Sequence, residues 1–176
     1  MTKNNHKEYV VYKGKKYYVR QGVLDIQHGA ITRISEIEGL DDLETLKVLY
    51  LGMEGINKLD GLENLDNLVN LRYLNLSANL IREIEGLDNL VNLEELWLSR
   101  NPITEIKGLD NNINLRKLYL NGNLISEIKG LENLVNLKIL LLRENPIPEE
   151  VLDEISFDRI ADGQKYVEYC RKKINI

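Results

Sequence analysis

The stretch Leu71-Arg-Tyr-Leu-Asn-Leu-Ser-Ala-Asn-Leu-Ile-Arg-Glu-Ile-Glu-Gly-Leu-Asp-Asn-Leu-Val-Asn92 decides the fold. Apolar residues stand at Leu71, Leu74, Leu76, Ile81, Ile84, Leu87 and Leu90, with Asn79 and Gly86 fixed among them. After 22 residues the same columns return as Leu93, Leu96, Leu98, Asn101, Ile103, Ile106, Gly108 and Leu109. They return again as Leu115, Leu118, Leu120, Asn123, Ile125, Ile128, Gly130, Leu131 and Leu134. A further row starts Leu137, Leu140, Leu142, Asn145, Ile147 and then diverges. Upstream, Leu46, Leu49, Leu51, Ile56, Leu59, Gly61, Leu62 and Leu65 keep the frame in a row 25 residues long. A degenerate row runs from Gln21 through Leu24, Ile26, Ile31, Ile34, Gly39, Leu40 and Leu43. Self-similarity at such a period marks a repeat architecture.

Each row has a physical reading. In Leu-x-x-Leu-x-Leu the last two leucines are two apart, the spacing of one face of a strand. So short a strand cannot bury its face alone, and stacking successive rows in a parallel sheet makes a continuous core. The column asparagines Asn79, Asn101, Asn123 and Asn145 fall where the chain leaves the strand. A carboxamide both donates and accepts, so a stacked Asn ladder can satisfy the freed backbone groups. The Ile-x-x-Ile-x-Gly-Leu-x-x-Leu half returns the chain, and its three-residue spacing suits short 3₁₀ or helical turns. Three departures stand out: Glu54 replaces the column Asn, Gly29 stands near that slot in the first row, and Asn112 replaces a core Leu. Neighbouring Ile113 is the expected substitute for that missing Leu.

Rows of the form Leu-x-x-Leu-x-Leu-x-x-Asn-x-Ile-x-x-Ile-x-Gly-Leu resemble the 22-residue class of leucine-rich-repeat proteins. That class is typified by a regulatory subunit of protein phosphatase 1, and also occurs in spliceosomal and tubulin-folding proteins and in bacterial internalins. The resemblance covers about residues 21–147. It implies an α/β solenoid, a right-handed horseshoe of about six turns with a parallel concave sheet. Such a class shares a scaffold rather than a partner.

A stack of repeats exposes its core at both ends, so the terminal units must differ. Residues 1–20 read as a polar tail and a β-hairpin cap, Glu8–Tyr12 and Tyr17–Val19 about a turn at Gly14. Residues 148–176 read as a helical cap to the 21–147 solenoid, all within one domain. Pro148 suits a first helical position, and Val151, Leu152 and Ile155 are expected to face the last repeat. A second helix from Gln164 to Lys173 carries Tyr166, Val167, Cys170 and Ile174 on one stripe, with Tyr169 at its edge.

The chain has 176 residues, about one domain. It holds 31 Leu, 18 Ile and 20 Asn but one Cys, Cys170, and two His, His6 and His28. One cysteine excludes an intramolecular disulfide and, with two histidines, offers no zinc cluster. No 18-residue apolar run is present, and Met1–Lys16 shows no apolar leader, so a cytoplasmic location is expected. No Ser/His/Asp set, phosphate-cradling loop or calcium loop is found. His28 reads as an ordinary surface side chain, and Cys170, on an apolar stripe, as an inert buried thiol. The expectation is a protein without enzymatic activity, cofactor or metal.

Net charge is −5, unevenly spread. Residues 1–20 hold six basic side chains and one acidic, and residues 171–173 three basic ones. The body, 21–170, has 14 basic and 27 acidic residues, a charge of −13. That disfavours general nucleic-acid binding, which wants a basic stripe. Glu83, Glu105 and Glu127 recur in register with Lys107 and Lys129 interleaved, and read as a solvated face.

Two columns alternate with the buried leucines and must point outward. One reads Asp25, Tyr50, Asn75, Trp97, Tyr119, Leu141 and the other Val48, Tyr73, Glu95, Lys117, Ile139. They contain the chain's single Trp and three of its nine Tyr. Six strands at about 4.8 Å span only about 24 Å, so the aromatic side chains are expected to form one strip. Exposed apolar strips mark interaction sites. Arg72, Arg100, Arg116, Lys117 and Arg143 give a partly basic rim, with Glu94, Glu95 and Glu144 of opposite sign. The expected function is protein–protein interaction, holding a protein or peptide through Tyr50, Tyr73, Trp97, Tyr119, Lys117, Arg100, Ile139, Leu141 and Arg143, with a regulatory or scaffold subunit as one form of it. The competing explanation for the rings is that they pack on one another for stability. The alternative function is an RNA–protein complex component stacking bases on Tyr and Trp. No membrane partner is expected, and the chain alone is expected to be a monomer.

Overall fold

In the computed structural model the described residues are 9–27, 29–155 and 162–174. Two antiparallel strands open the chain, β1 (Tyr9–Tyr12) and β2 (Lys15–Tyr18). Six three-residue strands follow: β3 (Val23–Asp25), β4 (Val48–Tyr50), β5 (Tyr73–Asn75), β6 (Glu95–Trp97), β7 (Lys117–Tyr119) and β8 (Ile139–Leu141). They pair in sequence order as one parallel sheet. The register is unbroken: Leu24, Leu49, Leu74, Leu96, Leu118 and Leu140 lie side by side. The chain ends in α1 (Glu149–Glu154) and α2 (Gly163–Lys173).

The architecture is a leucine-rich-repeat α/β solenoid, and every apolar column of the repeat lies in its core. Leu71, Leu74, Leu76, Ile81, Ile84, Leu87 and Leu90 are all at most 1 % exposed. The six strands are joined by five complete coils, because the sixth row gives way to α1 after Pro146 and Pro148. Pro148 caps α1 instead of opening its first turn.

Three sets of asparagines lace the coils together, and they account for much of the Asn excess. The inner set is the expected ladder. Asn101 Nδ2 donates to Leu76 O and to Leu98 O, both at 3.0 Å, while its Oδ1 accepts from Ile81 N at 3.1 Å. Asn123 repeats this with Leu98 O, Leu120 O and Ile103 N, and Asn145 with Leu120 O, Leu142 O and Ile125 N. Asn79 serves Leu51 O and Leu76 O and accepts from Glu54, Gly55 and Ile56 N–H. Each shared carbonyl therefore receives two ladder amides. Sequence reading misses the two outer sets. Asn70, Asn92, Asn114 and Asn136 donate to Glu44, Val69, Val91 and Ile113 carbonyls of the preceding coil. Asn89, Asn111 and Asn133 donate to the Asp66, Asp88 and Asp110 carboxylates.

The irregular positions resolve physically. Glu54 stands in the ladder, 6 % exposed, and its Oε2 accepts from Ile31 N at 3.3 Å. A carboxylate accepts but cannot make the two amide donations, and Oε1 is buried without a partner among the described residues. Asn112 fills the Leu slot itself at 0 % exposure, while Ile113 stays 48 % exposed and is no substitute. Asn112 Nδ2 reaches Leu87 O and Leu90 O, carbonyls that already accept from Leu90 N and Leu93 N. Its Oδ1 has no partner.

The return half is less helical than its spacing suggests. Short 3₁₀ helices form only at Ile34–Glu36 and Leu62–Asn64 among the described residues. Elsewhere successive backbone turns, such as Leu90 N to Leu87 O and Leu93 N to Leu90 O, carry the three-residue spacing. Gly108 (φ +69°) marks the bend, where a Cβ would lie 2.6 Å from Ile84 O. Both ends are covered. Val10 and Tyr12 of the hairpin are buried, Tyr12 OH donates to Ala30 O at 3.0 Å, and Val11 bridges Glu38. Ile155, Tyr166, Val167 and Cys170 close the other end, with Val151, Leu152 and Tyr169 packed beside them. Ile174 does not join that stripe: it is 46 % exposed beyond the last turn of α2.

Asn101→Ala is expected to lower stability by about 3 kcal/mol, because Ile81 N–H loses its acceptor and two carbonyls lose a donor. Asn112→Leu is expected to raise it by about 1 kcal/mol, since it removes a buried unpaired oxygen and leaves the carbonyls their backbone partners. Urea unfolding of the two variants checks the opposite signs.

Candidate functional site

The period-two geometry of β4 to β8 buries each central leucine and turns its two neighbours onto the open face of the sheet. Trp97 and Tyr119 are direct register partners on β6 and β7. Their rings stack at 5.6 Å between centroids with planes 3° apart. Tyr73 reaches Trp97 diagonally, since its own register partner is Glu95, and stacks at 6.3 Å and 29°. All three rings are half-buried. Trp97 thus lies between two rings, one from each neighbouring strand. Ile139 and Leu141 of β8, also half-buried, continue the surface beyond Tyr119, and Ile139 is bridged to Asp162 of the C-terminal cap.

Tyr50 stands apart from the stack. Its register partner is Asn75, which separates it from Trp97. The aromatic strip is therefore three rings with one outlier. Tyr50 instead lines a depression of about 740 Å³ whose floor is the small side chains Gly52, Ser77, Ala78 and Ser99. Asp25, Gln27, Asn75, Met53 (83 % exposed), Glu54 and Arg100 also line it. Sequence reading misses this depression. Its signal is the column of Gly52, Ser77 and Ser99, two residues beyond Tyr50, Asn75 and Trp97 in each row.

Charged side chains flank the rings. Lys117 Nζ lies 2.8 Å from Glu95 Oε1 across the strands, and this bond, then the carboxylate's charge, raises the lysine above its ordinary pKa. Arg72 pairs with Glu94 in the same way. Arg100, Arg116 and Arg143 are exposed and have no side-chain partner among the described residues. Arg72, Glu94 and Arg116 line a second, polar groove of about 320 Å³ with Asn92, Asn114 and Asn136. On the opposite flank Lys107 pairs with Glu83, and Lys129 with Glu105 and Glu127.

The remaining candidates for chemistry are quiet. Cys170 is 2 % exposed, its thiol donates to Ile128 O at 3.6 Å, and burial pushes its pKa up to about 11. The reactive thiolate is therefore scarce at neutral pH. No group of three or more His, Cys, Asp or Glu suited to a metal occurs among the described residues. The readings of His6 and His28 lie outside those residues. No described helix is long and apolar enough to cross a membrane.

Parallel strands in register, an asparagine ladder and an open sheet face define a leucine-rich-repeat protein. The family model described as leucine-rich repeats in two copies matches residues 69–111. Internalin C2 of Listeria monocytogenes is similar in structure, with 30 % identity and a TM-score of 0.58 over 68 % of this chain and 50 % of that one. Internalin F of the same organism gives 30 % identity and 0.57 over 68 % and 34 %. The chain thus spans half or less of these relatives. No curated protein matches it significantly.

Trp97→Ala is expected to cost about 1–2 kcal/mol, the loss of two ring contacts on an open face. Leu98→Ala, one residue on in the core, is expected to cost about 2–5 kcal/mol. Equal losses in urea unfolding would mean that the ring acts as core. Native protein at pH 8 is expected to resist iodoacetamide at Cys170, while urea-unfolded protein is alkylated readily, as read by mass spectrometry.

Proposed function

We propose that this chain is a non-enzymatic interaction module that holds a protein or peptide partner against the open, concave face of its sheet. The observation that carries the reading is the half-exposed Tyr73–Trp97–Tyr119 stack on that face. Trp and Tyr are the side chains most enriched at binding hot spots. Ile139 and Leu141 extend the apolar contact, Tyr50 and Arg100 border the adjoining depression, and Lys117 and Arg143 contribute charge at the rim. Mutual packing of the rings and partner binding hold together: the stack presets the rings, which lowers the entropy lost on binding.

The similarity of fold to internalins supports a recognition scaffold, and the resemblance to the phosphatase regulator extends it to a regulatory or scaffold subunit. A cytoplasmic setting is part of the same proposal, and the single cysteine, Cys170, is buried and unpaired. The RNA alternative has less support. Base stacking needs a free ring face, and Trp97 already stacks with Tyr73 and Tyr119. Nor does the chain carry the long basic stripe that general nucleic-acid binding wants.

Trp97→Ala with Tyr119→Ala is expected to lose the partner recovered by the native chain from a lysate of its own source, with the circular dichroism spectrum unchanged. Full recovery of the same partner by the folded double variant would refute the assignment.

A further inference from the structure

We infer that the segment bound across the ring stack is acidic, an extended peptide with carboxylates on either side of an apolar residue. This rests on the reading of the open face as a binding surface and adds the chemistry of what it binds.

Charge is inverted on this face relative to the body. From β5 to β8, the open face and its two edges carry Arg72, Arg100, Arg116, Lys117, Lys138 and Arg143 against Glu94, Glu95 and Glu144. That is three positive charges in excess, or two with Asp162, which is bridged to Ile139, on a body of −13. The pairing sharpens the excess. Glu94 is tied to Arg72 and Glu95 to Lys117, which leaves Glu144 as the unpaired carboxylate of the three among the described residues. Arg100, Arg116, Lys138 and Arg143 are exposed, and none has a side-chain hydrogen bond, ion pair or ring contact among the described residues. On the opposite flank Lys107 and Lys129 are matched by Glu83, Glu105 and Glu127.

The four free cations are also placed in two rows. Arg116 and Lys138 sit on adjacent strands one residue before the outward-facing positions, at the upstream edge of the sheet. Arg100 and Arg143 sit beyond the downstream ends of β6 and β8. Lys138 and Arg143 are five residues apart along one extended row, about 16 Å. Between the two rows lie Trp97, Tyr119, Ile139 and Leu141. A segment running along the stack would meet apolar surface at its centre and a guanidinium or ammonium on each side. Neutral and basic segments would leave those cations unanswered, and like charge against them is a strong filter on partner choice. Phosphodiester would answer the charge, but Trp97 already stacks with two rings, so an acidic polypeptide fits better than nucleic acid.

A random dodecapeptide display library selected on the whole chain tests this, followed by fluorescence polarisation with the enriched peptides. Enriched sequences are expected to be rich in Asp and Glu around an aromatic or aliphatic residue. Their affinity is expected to fall about tenfold or more in Arg116→Glu/Arg143→Glu, less in Arg116→Gln/Arg143→Gln, and steadily with added salt. Lys107→Glu/Lys129→Glu, on the other flank, is the charge-matched control and is expected to bind nearly as the native chain does. Neutral or basic enriched peptides, or affinity lost in Trp97→Ala but kept in the charge reversal, would overturn the acidic assignment while leaving the binding face in place. Peptides indifferent to Trp97→Ala, or none enriched, would remove the face itself and this inference with it. A uridine dodecamer that bound more tightly than the peptides, and competed with them, would hand the cations to nucleic acid.

Discussion

One contact repeats until the molecule is built: a buried asparagine amide shared between two coils. A three-residue strand satisfies little of its own backbone, and the chain must turn away from it inside an apolar core. Leu98 O is the representative case, receiving Asn101 from its own coil and Asn123 from the next. Leu76 O and Leu120 O are served in the same double fashion. The ladder thus fixes the spacing of the coils, and the leucine columns then close over it. Neither term suffices alone. Burial is non-directional, and a leucine core without the amides would tolerate slippage between coils. Glu54 shows the cost of departure, with a made acceptor bond and an oxygen that no described residue answers.

The fold was legible because its determinants repeat. A column of Leu or Ile at a fixed period identifies itself, and so did the inner asparagines, which interrupt apolar columns. The outer ladders were not legible, although Asn70, Asn92, Asn114 and Asn136 recur just as strictly. They are exposed, each between a Val or Ile and a column Leu, and on a surface a polar side chain needs no special reason. Only the carbonyls of the preceding coil reveal their role. Asn112 misled for a related reason. Exchange with Ile113 looks plausible in one dimension, but the turn from Leu109 to Leu115 fixes which side chain points inward. The shallow return half likewise follows from tertiary context: three-residue spacing fits both a 3₁₀ helix and a chain of single turns, and a 22-residue coil leaves room for the latter.

The candidate site was legible in its columns and not in its contacts. Alternation placed Tyr73, Trp97 and Tyr119 on the outer face, and register made Trp97 and Tyr119 neighbours. That Tyr73 would lean across to Trp97, and that Tyr50 would fall away toward Gly52 and Ser77, depends on side-chain reach beyond the reading of a column. Which cations are free is equally a matter of contact. Arg72 and Arg116 occupy the same column, yet one is held by Glu94 and the other by nothing among the described residues.

The division of labour between columns makes the open face informative. Inward columns and ladders already hold the coils in register, so outward positions are free to vary with little effect on the fold. A solenoid under no other demand would fill them with short polar or alternating charged residues, as the flank of Glu83, Glu105, Lys107 and Lys129 does. The open face departs from that in two independent ways: it gathers large rings, and it leaves cations unmatched in an otherwise acidic body. Ring packing explains the first in part, through contacts of about 0.2–1 kcal/mol per cross-strand pair. It explains nothing of the second, because unmatched like charges oppose folding. A feature that the fold neither needs nor benefits from, placed around a feature that it needs only weakly, is what the proposed binding role of this face accounts for.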